Sequence, residues 1–328
     1  MSSLLGNYTL APERELAEKL HVSRNTLRKA IATLMEEGVL SRDGYKTYIR
    51  QGYHNLARLG KIIFVAHGAD GHFSYDAIER LWNMLEPLLK KKSANISLCF
   101  ARSDEDFERV MPRLAQADVL ILSSLPHSMQ LYRQLQELRH SKKTIGVLEE
   151  LSPYTQSLIS LDNDAVGRLA ANTLINQGCR KVFCIWELVH TNQNLCSRAK
   201  GFMNVLEEKG LGSVTNVFWV PRDHGEIIAP MRRFITQCVD EDYDGVFLLS
   251  DENIGEILAP LFANGAIPDK LKVVTTDGTS SARRHQPPIP CISHANDDVA
   301  LQLFDYLCDL AAGKKASVII KVRPMLQF

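Results

Sequence analysis

The stretch Glu15 to Leu40, ELAEKLHVSRNTLRKAIATLMEEGVL, reads as two short helices joined by a tight turn. The first is expected over Pro12 to Leu20, with Pro12 at a first helical position where no N–H is needed. Leu16, Ala17 and Leu20 fall on one stripe of it. His21-Val22-Ser23 makes the turn, and Ser23 is a suitable N-cap for the next helix. There Leu27, Ala30, Ile31 and Leu34 recur at i, i+3, i+4 and i+7, the spacing of a buried stripe. At about 100° per residue Asn25, Arg28 and Lys29 then point outward, with the small Ala32 a turn further on. Gly38 is expected just past the helix end. A helix-turn-helix with a basic outward face suits the DNA major groove. The competing reading is a plain helical hairpin whose charges are solvated.

The residues after Gly38 favour DNA. Val39-Leu40-Ser41, then Arg42-Asp43-Gly44, then Lys46-Thr47-Tyr48-Ile49 reads as strand, Asp-Gly turn, strand. A two-stranded wing behind a helix-turn-helix makes a winged-helix domain, expected over residues 1–50. Those residues hold eight Lys/Arg against six Asp/Glu, an excess of only 8 − 6 = +2, so charge position matters more than the total.

The run LAPERELAEKLHVSRNTLRKAIATLMEEGVL resembles the gluconate-repressor (GntR) family of bacterial winged-helix regulators in residue type and spacing over roughly residues 8–50. The resemblance implies DNA contact through Arg14, Arg24, Thr26 and Arg28 and through the wing tip. With Asn25 and Lys29 from the outward face and Gly44 and Lys46 from the wing, these are the candidate DNA-binding residues. The chain departs from the family in two places. Met1 to Tyr8 is too short for the helix that precedes this stretch in the family. The wing, Asp43-Gly44-Tyr45-Lys46-Thr47-Tyr48, keeps only the first glycine of the family's Gly-x-Gly-Thr-Phe.

At 328 residues the chain has room for two or three domains and a sizeable core. Its 45% apolar and 23% charged residues are those of a globular protein. The formal net charge is zero, so nucleic-acid binding must be local. No apolar run approaches the roughly 18 residues of a membrane span, and no basic-then-apolar leader opens the chain. A cytoplasmic protein is expected. The seven cysteines, at 99, 179, 184, 196, 238, 291 and 308, are scattered without a C-x-x-C pair and read as reduced thiols.

Gln51 to Gly60 has no sustained pattern and is read as the linker. From Lys61 onward apolar strands alternate with amphipathic helices, which means parallel sheets covered on both faces. Some ten strands exceed one comfortable sheet, so two lobes are expected, with ligand beyond the carboxyl ends of the strands. No phosphate-binding Walker loop, nucleophile elbow, zinc-protease motif or dinucleotide fingerprint appears. Neither catalytic residues nor metal nor cofactor are expected.

Four segments of residues 61–328 resemble the effector domain of the lactose/galactose-repressor (LacI/GalR) family, which shares its two-lobe fold with periplasmic sugar-binding proteins. They are Ser160-Leu161-Asp162-Asn163-Asp164-Ala165-Val166-Gly167 with Gly178-Cys179-Arg180-Lys181-Val182; Ser197-Arg198-Ala199-Lys200-Gly201-Phe202; Asp244-Gly245-Val246-Phe247 with Ser250-Asp251-Glu252; and Val273-Val274-Thr275-Thr276-Asp277-Gly278-Thr279 with Pro287-Pro288-Ile289-Pro290-Cys291-Ile292. The resemblance implies a first lobe of about 61–159 and 292–314 and a second of about 160–290 and 315–328. It also implies that Arg198 offers its fork to ligand hydroxyls or a carboxylate, and that Asp162 and Asp277 accept ligand hydroxyls. Ser250 stands where an asparagine is usual, with Asp251 beside it. His67, Phe73 and Tyr75 would line the other wall, and Trp186 could cover a sugar's apolar face; core packing is the alternative for each aromatic. The expected fold is therefore α/β, a winged helix-turn-helix plus a two-lobe periplasmic-binding-protein-like domain. The expected function is a sugar- or polyol-responsive regulator, a repressor in type, binding operator DNA as a homodimer. The alternative is a sugar-binding protein without DNA activity.

Overall fold

The computed structural model describes residues 10–36, 40–43, 46–49, 56–123, 129–148, 154–185, 187–188, 193–211, 218–219, 233–234, 236–238, 240–249, 271–277, 289–293, 296–314 and 317–327. The head begins with α1 (Glu13–Lys19) and α2 (Arg24–Glu36). Pro12 lies one position earlier than expected: extended at ψ 140°, it is the N-cap, and its carbonyl accepts from Leu16. Helix α1 closes with His21 left-handed (φ 53°), its N–H donating to Glu18 and that of Val22 to Ala17. This pair of bonds is the Schellman closure, with histidine in the place glycine usually takes. Ser23 caps α2 through a bond from the Thr26 N–H, 3.1 Å.

The head's core is Ala17, Leu27, Ile31 and Leu40, with Leu10, Leu16, Leu34 and Met35 packed beside it. Leu20, expected in the stripe, is 56% exposed because the seven-residue α1 ends before it and leaves it as C-cap. Ala30 is exposed too, about 60° round the helix from Leu27 at the stripe's margin. The wing strands β1 (Leu40–Asp43) and β2 (Lys46–Ile49) pair antiparallel, Leu40 with Ile49 and Asp43 with Lys46. The expected C′ glycine, Gly38, and the turn glycine, Gly44, lie outside the described residues.

The expected linker is not all linker. Leu56–Leu59 forms a 3-10 turn whose leucines, three apart, are buried in the first lobe's core. The body then runs β3 (Lys61–Ala66), α3 (Asp76–Lys91), β4 (Asn95–Phe100), α4 (Asp104–Leu114), β5 (Val119–Ser123), α5 (Met129–Ser141), β6 (Lys143–Leu148) and β7 (Ser157–Leu161). It continues with α6 (Asn163–Asn176), β8 (Val182–Ile185), α7 (Gln193–Glu208), β9 (Gly245–Leu248), β10 (Lys272–Asp277), β11 (Cys291–Ser293), α8 (Asn296–Ala311), β12 (Ile319–Val322) and β13 (Met325–Gln327). The helices expected at 226–237 and 252–264 fall largely or wholly outside the described residues.

Two sheets result. The first, in order β12-β7-β6-β5-β3-β4, is parallel throughout. The second runs β8-β9-β10-β11-β13, parallel except for the last pair. Ile62 to Ala66 and Val119 to Ser123 are buried without alternation, as strands covered on both faces must be.

Sheet membership at the C-terminus departs from the division expected from the sequence. Residues 315–328 do not go together: β12 adds to the first sheet beside β7, and β13 to the second beside β11. Pro324, without an N–H, breaks the strand between them. Likewise β11 belongs to the second sheet, whereas α8 packs on α3 and β7 of the first lobe. The chain thus crosses between lobes after β7, after β11 and after β12.

Candidate functional site

Two surfaces collect the residues singled out by the sequence. On the head, Arg14, Arg24, Asn25, Thr26, Arg28 and Lys29 are all exposed. Two of them already have local partners. The Thr26 hydroxyl shares a hydrogen bond with Ser23, 2.7 Å, at the start of α2. Arg28 donates through Nε to Glu13 Oε2, 2.8 Å, tying α2 to α1. With Arg28 64% exposed, such a pair is worth at most about 1 kcal/mol. A phosphate or guanine edge can therefore compete for it. Lys46 lies in β2; its side chain is outside the described residues.

In the body, first-sheet order changes direction at β3, so the carboxyl ends of β3 and β5 flank a crevice. His67 follows β3 directly. Beyond it Gly68–Ala69 and His72–Phe73 pair as a small hairpin, and the Ser74 N–H closes on the His67 carbonyl, 3.0 Å. Only glycine fits at 68, since a Cβ would meet the His72 carbonyl at 2.2 Å. The His67 and Tyr75 rings lie 5.1 Å apart, and Tyr75 is 36% exposed. Phe73 is turned the other way, edge-on to Phe100 at 5.0 Å and packed on the core. Of the two aromatics, Tyr75 is the one presented to a ligand.

The second lobe supplies Arg198, on α7, and its guanidinium is buried (3% exposed). Its Nε donates to Asn163 Oδ1 (2.8 Å), and Nη1 to the Leu249 carbonyl (2.7 Å) and Thr276 Oγ1 (2.8 Å). The Thr276 hydroxyl donates its own proton to the same carbonyl, 2.6 Å. Leu249 follows β9 and Thr276 lies at the end of β10, so the fork sits at the carboxyl edge of the second sheet. What brings it there is a close helix crossing. A Cβ on Gly167 of α6 would lie 1.9 Å from the Arg198 carbonyl, and one on Gly201 of α7 would lie 2.1 Å from that of Asp164. Both positions must be glycine for the backbones to meet.

Asp162 is partly spent on structure: Oδ1 accepts the Ala165 N–H, 3.1 Å, as N-cap of α6. Asp277 ends β10 opposite Ser293, its side chain outside the described residues. Trp186, Ser250 and Asp251 lie outside them altogether. Sequence reasoning about ligand contacts missed Asn163, Asn194 and Thr276. Asn194 lies four residues before Arg198, on one helix face with it, which was the available signal.

Burial holds the Cys184 and Cys238 thiols up at about 12 and those of Cys179 and Cys308 at about 11. They stay protonated and unreactive at neutral pH. Among the described residues no group of three His, Cys, Asp or Glu could hold a metal ion. Nor, among them, is any helix long and apolar enough to cross a membrane.

Comparison with known proteins agrees with this architecture. The family model for bacterial regulatory proteins of the gntR family matches residues 7–60, and that for the periplasmic binding protein-like domain matches residues 171–325. The chain is 26% identical to a sucrose operon repressor of Streptococcus mutans, covering 94% of this chain and 90% of that protein. It is 32% identical to a putative L-lactate dehydrogenase operon regulatory protein of Escherichia coli, over 46% of this chain and 67% of that one. Among solved structures, a complex of the transcriptional regulator CelR with cellobiose superposes with TM-score 0.69 at 20% identity, covering 97% of this chain and 99% of that one. The regulator CcpA of Lactococcus lactis gives 0.67 at 12% identity, over 82% and 97%. The chain belongs to the gntR family of bacterial regulatory proteins, its winged helix-turn-helix head fused to a periplasmic-binding-protein-like body.

Proposed function

We propose that the protein is a ligand-responsive repressor of sugar-related genes, acting in the cytoplasm as a homodimer on a pseudo-palindromic operator. The observation that carries this is the joining, in one chain, of an outward basic helix face to a two-lobe body with a buried arginine at a sheet's carboxyl edge. Two heads on a two-fold axis would read two half-sites whose spacing the dimer sets. Arg14, Arg24, Asn25, Thr26, Arg28 and Lys29 approach the major groove, with Gly44 and Lys46 at the wing. His67 and Tyr75 form one wall of the ligand cleft, flanked by Phe73. Arg198 and Asp277 anchor the other, with Asp162, Trp186, Ser250 and Asp251 at its margins.

A guanidinium fork fixed by a carbonyl, a hydroxyl and an amide suits a polyhydroxylated ligand, whose vicinal oxygens match its donor spacing. The sucrose operon repressor and the cellobiose complex among the similar proteins support a sugar or polyol. Binding would rotate the lobes and alter the separation of the heads.

The test is a gel shift on DNA upstream of the protein's own gene, at fixed salt, with sucrose and cellobiose as probes. A sugar that raises the melting temperature should change operator affinity about 5- to 150-fold, and operator should change sugar affinity by the same factor. A sugar that binds yet leaves operator affinity unchanged would sink the reading.

A further inference from the structure

The two lobes are joined by a chain of hydrogen bonds that starts at Arg198. Asn163 takes the Arg198 Nε–H on Oδ1 (2.8 Å) and donates through Nδ2 to Asn194 Oδ1 (3.1 Å). Asn194 donates through Nδ2 to the carbonyl of Leu148 (3.2 Å). Arg198 and Asn194 stand on α7 and Asn163 opens α6, both packed in the second lobe, whereas Leu148 is the last residue of β6 in the first sheet. All three side chains are at least nine-tenths buried.

The direction of the chain is not free. A guanidinium can only donate, and a carbonyl can only accept. Between these ends each amide has one usable orientation: Asn163 must show its oxygen to Arg198, so its nitrogen faces Asn194, whose nitrogen in turn faces Leu148. Whatever reorients the first member propagates to the last. The receiving end is itself unusual. Leu148 has φ 66°, a left-handed conformation that a leucine adopts only under constraint from its surroundings.

We propose that the amide pair Asn163–Asn194 is a directional latch that holds the end of β6 against the second lobe while Arg198 is presented to Asn163. A ligand that draws the Arg198 fork toward its own oxygens withdraws the donor from Asn163 and frees that amide to turn. The Asn194 amide then turns with it, and the first lobe is released. The ligand half of this rests on the cleft assignment under the proposed function; the latch itself does not.

The experiment measures the distance between lobes in the ligand-free full chain by double electron–electron resonance. Spin labels are placed at Glu105→Cys on α4 and Glu207→Cys on α7, both exposed positions, in a Cys196→Ser background. Asn194→Asp keeps size and shape but sets a carboxylate against the Leu148 carbonyl. Asn163→Asp keeps the bond from Arg198, yet removes the donor that orients Asn194, so Asn194 turns its nitrogen inward and its oxygen toward Leu148. Both variants should lengthen or broaden the distance distribution beyond the wild-type width. In Asn163→Asp this should occur with no loss of melting temperature, which a purely structural role would not give. Where Asn194→Asp does not fold, Asn194→Ser, too short to reach Leu148, takes its place with the same expectation. A wild-type distribution in the Asn194 variant overturns the latch; opening in the Asn194 variant but not in Asn163→Asp overturns its directionality. A chain that opens as expected but binds no operator keeps the latch and removes the regulator reading.

Discussion

The head and the second lobe each place arginines for recognition, and they do so by opposite means. In the head, Arg24 and Arg28 lie on the outer side of one helix, above a core of four buried residues. Every feature that orients them lies within about thirty residues along the chain, and their charge stays in water. In the second lobe Arg198 is buried, and its partners come from positions 163, 249 and 276 on three different elements. A solvated arginine needs only a helix to stand on. A buried one needs acceptors placed by the whole fold, because an unpaired buried charge costs several kcal/mol.

The largest effect expected from this contrast is at the helix crossing. Gly201→Val should cost the body about 3 kcal/mol or more, because the new side chain meets backbone rather than a movable group. Chemical denaturation of the body, with the head's transition followed separately, checks it. A cost below about 1 kcal/mol would mean that α6 and α7 separate easily and that Arg198 is not held by their contact.

Next comes Leu27→Ala in the head, where the side chain is 5% exposed. A loss of about 2–3 kcal/mol is expected. In so small a core this should melt the head alone and leave the body's transition in place, seen as two steps in calorimetry. A single transition shifted as a whole would show that head and body fold as one unit.

Arg28→Ala sharpens the comparison by separating stability from recognition. Operator binding should weaken by about 1–3 kcal/mol in a gel shift if Arg28 reads a base. The melting temperature should barely move, since only the exposed pair with Glu13 is lost. The buried Arg198 cannot be tested so cleanly, because its removal leaves three polar partners unsatisfied.

The smallest effect concerns neither arginine and calibrates the rest. Ser103 and Asp106 form a reciprocal cap at the start of α4, Asp106 taking the Ser103 N–H and the Ser103 hydroxyl that of Asp106. Ser103→Ala should cost about 1 kcal/mol. The hydrogen bond from the Arg102 backbone, with further help from Arg109 and Ser103, lowers the Asp106 carboxyl below its usual range. Its contribution is therefore present above the unfolded carboxylate pKa and fades as pH falls through the lower folded value. Asp106→Asn should flatten that acid limb of the stability curve, as read by denaturant melts below about pH 4.

Much of the molecule was legible in its residues. The i, i+3, i+4 spacing of Leu27, Ile31 and Leu34, the Ser23 cap and the alternation of apolar strands with helices are local or short-range signals, and each appears where expected. Leu20 defies its stripe because the end of α1 depends on a closure at His21 that carries no glycine to announce it. The splitting of β12 from β13 was not readable either. Which sheet a short apolar strand joins depends on which partner strand it meets.

The sequence by itself determined the helix-turn-helix, the wing strands, the α/β texture of the body and the arginine that matters most in it. Periodicity and capping act within a turn or two of helix, so the chain states them directly. Only the tertiary structure decided what Arg198 touches, that Asn163 and Asn194 carry its orientation across to Leu148, and that Gly167 and Gly201 make room for it. Those choices concern hydrogen bonds between residues tens of positions apart, whose directions are set only when donors and acceptors meet in a buried site.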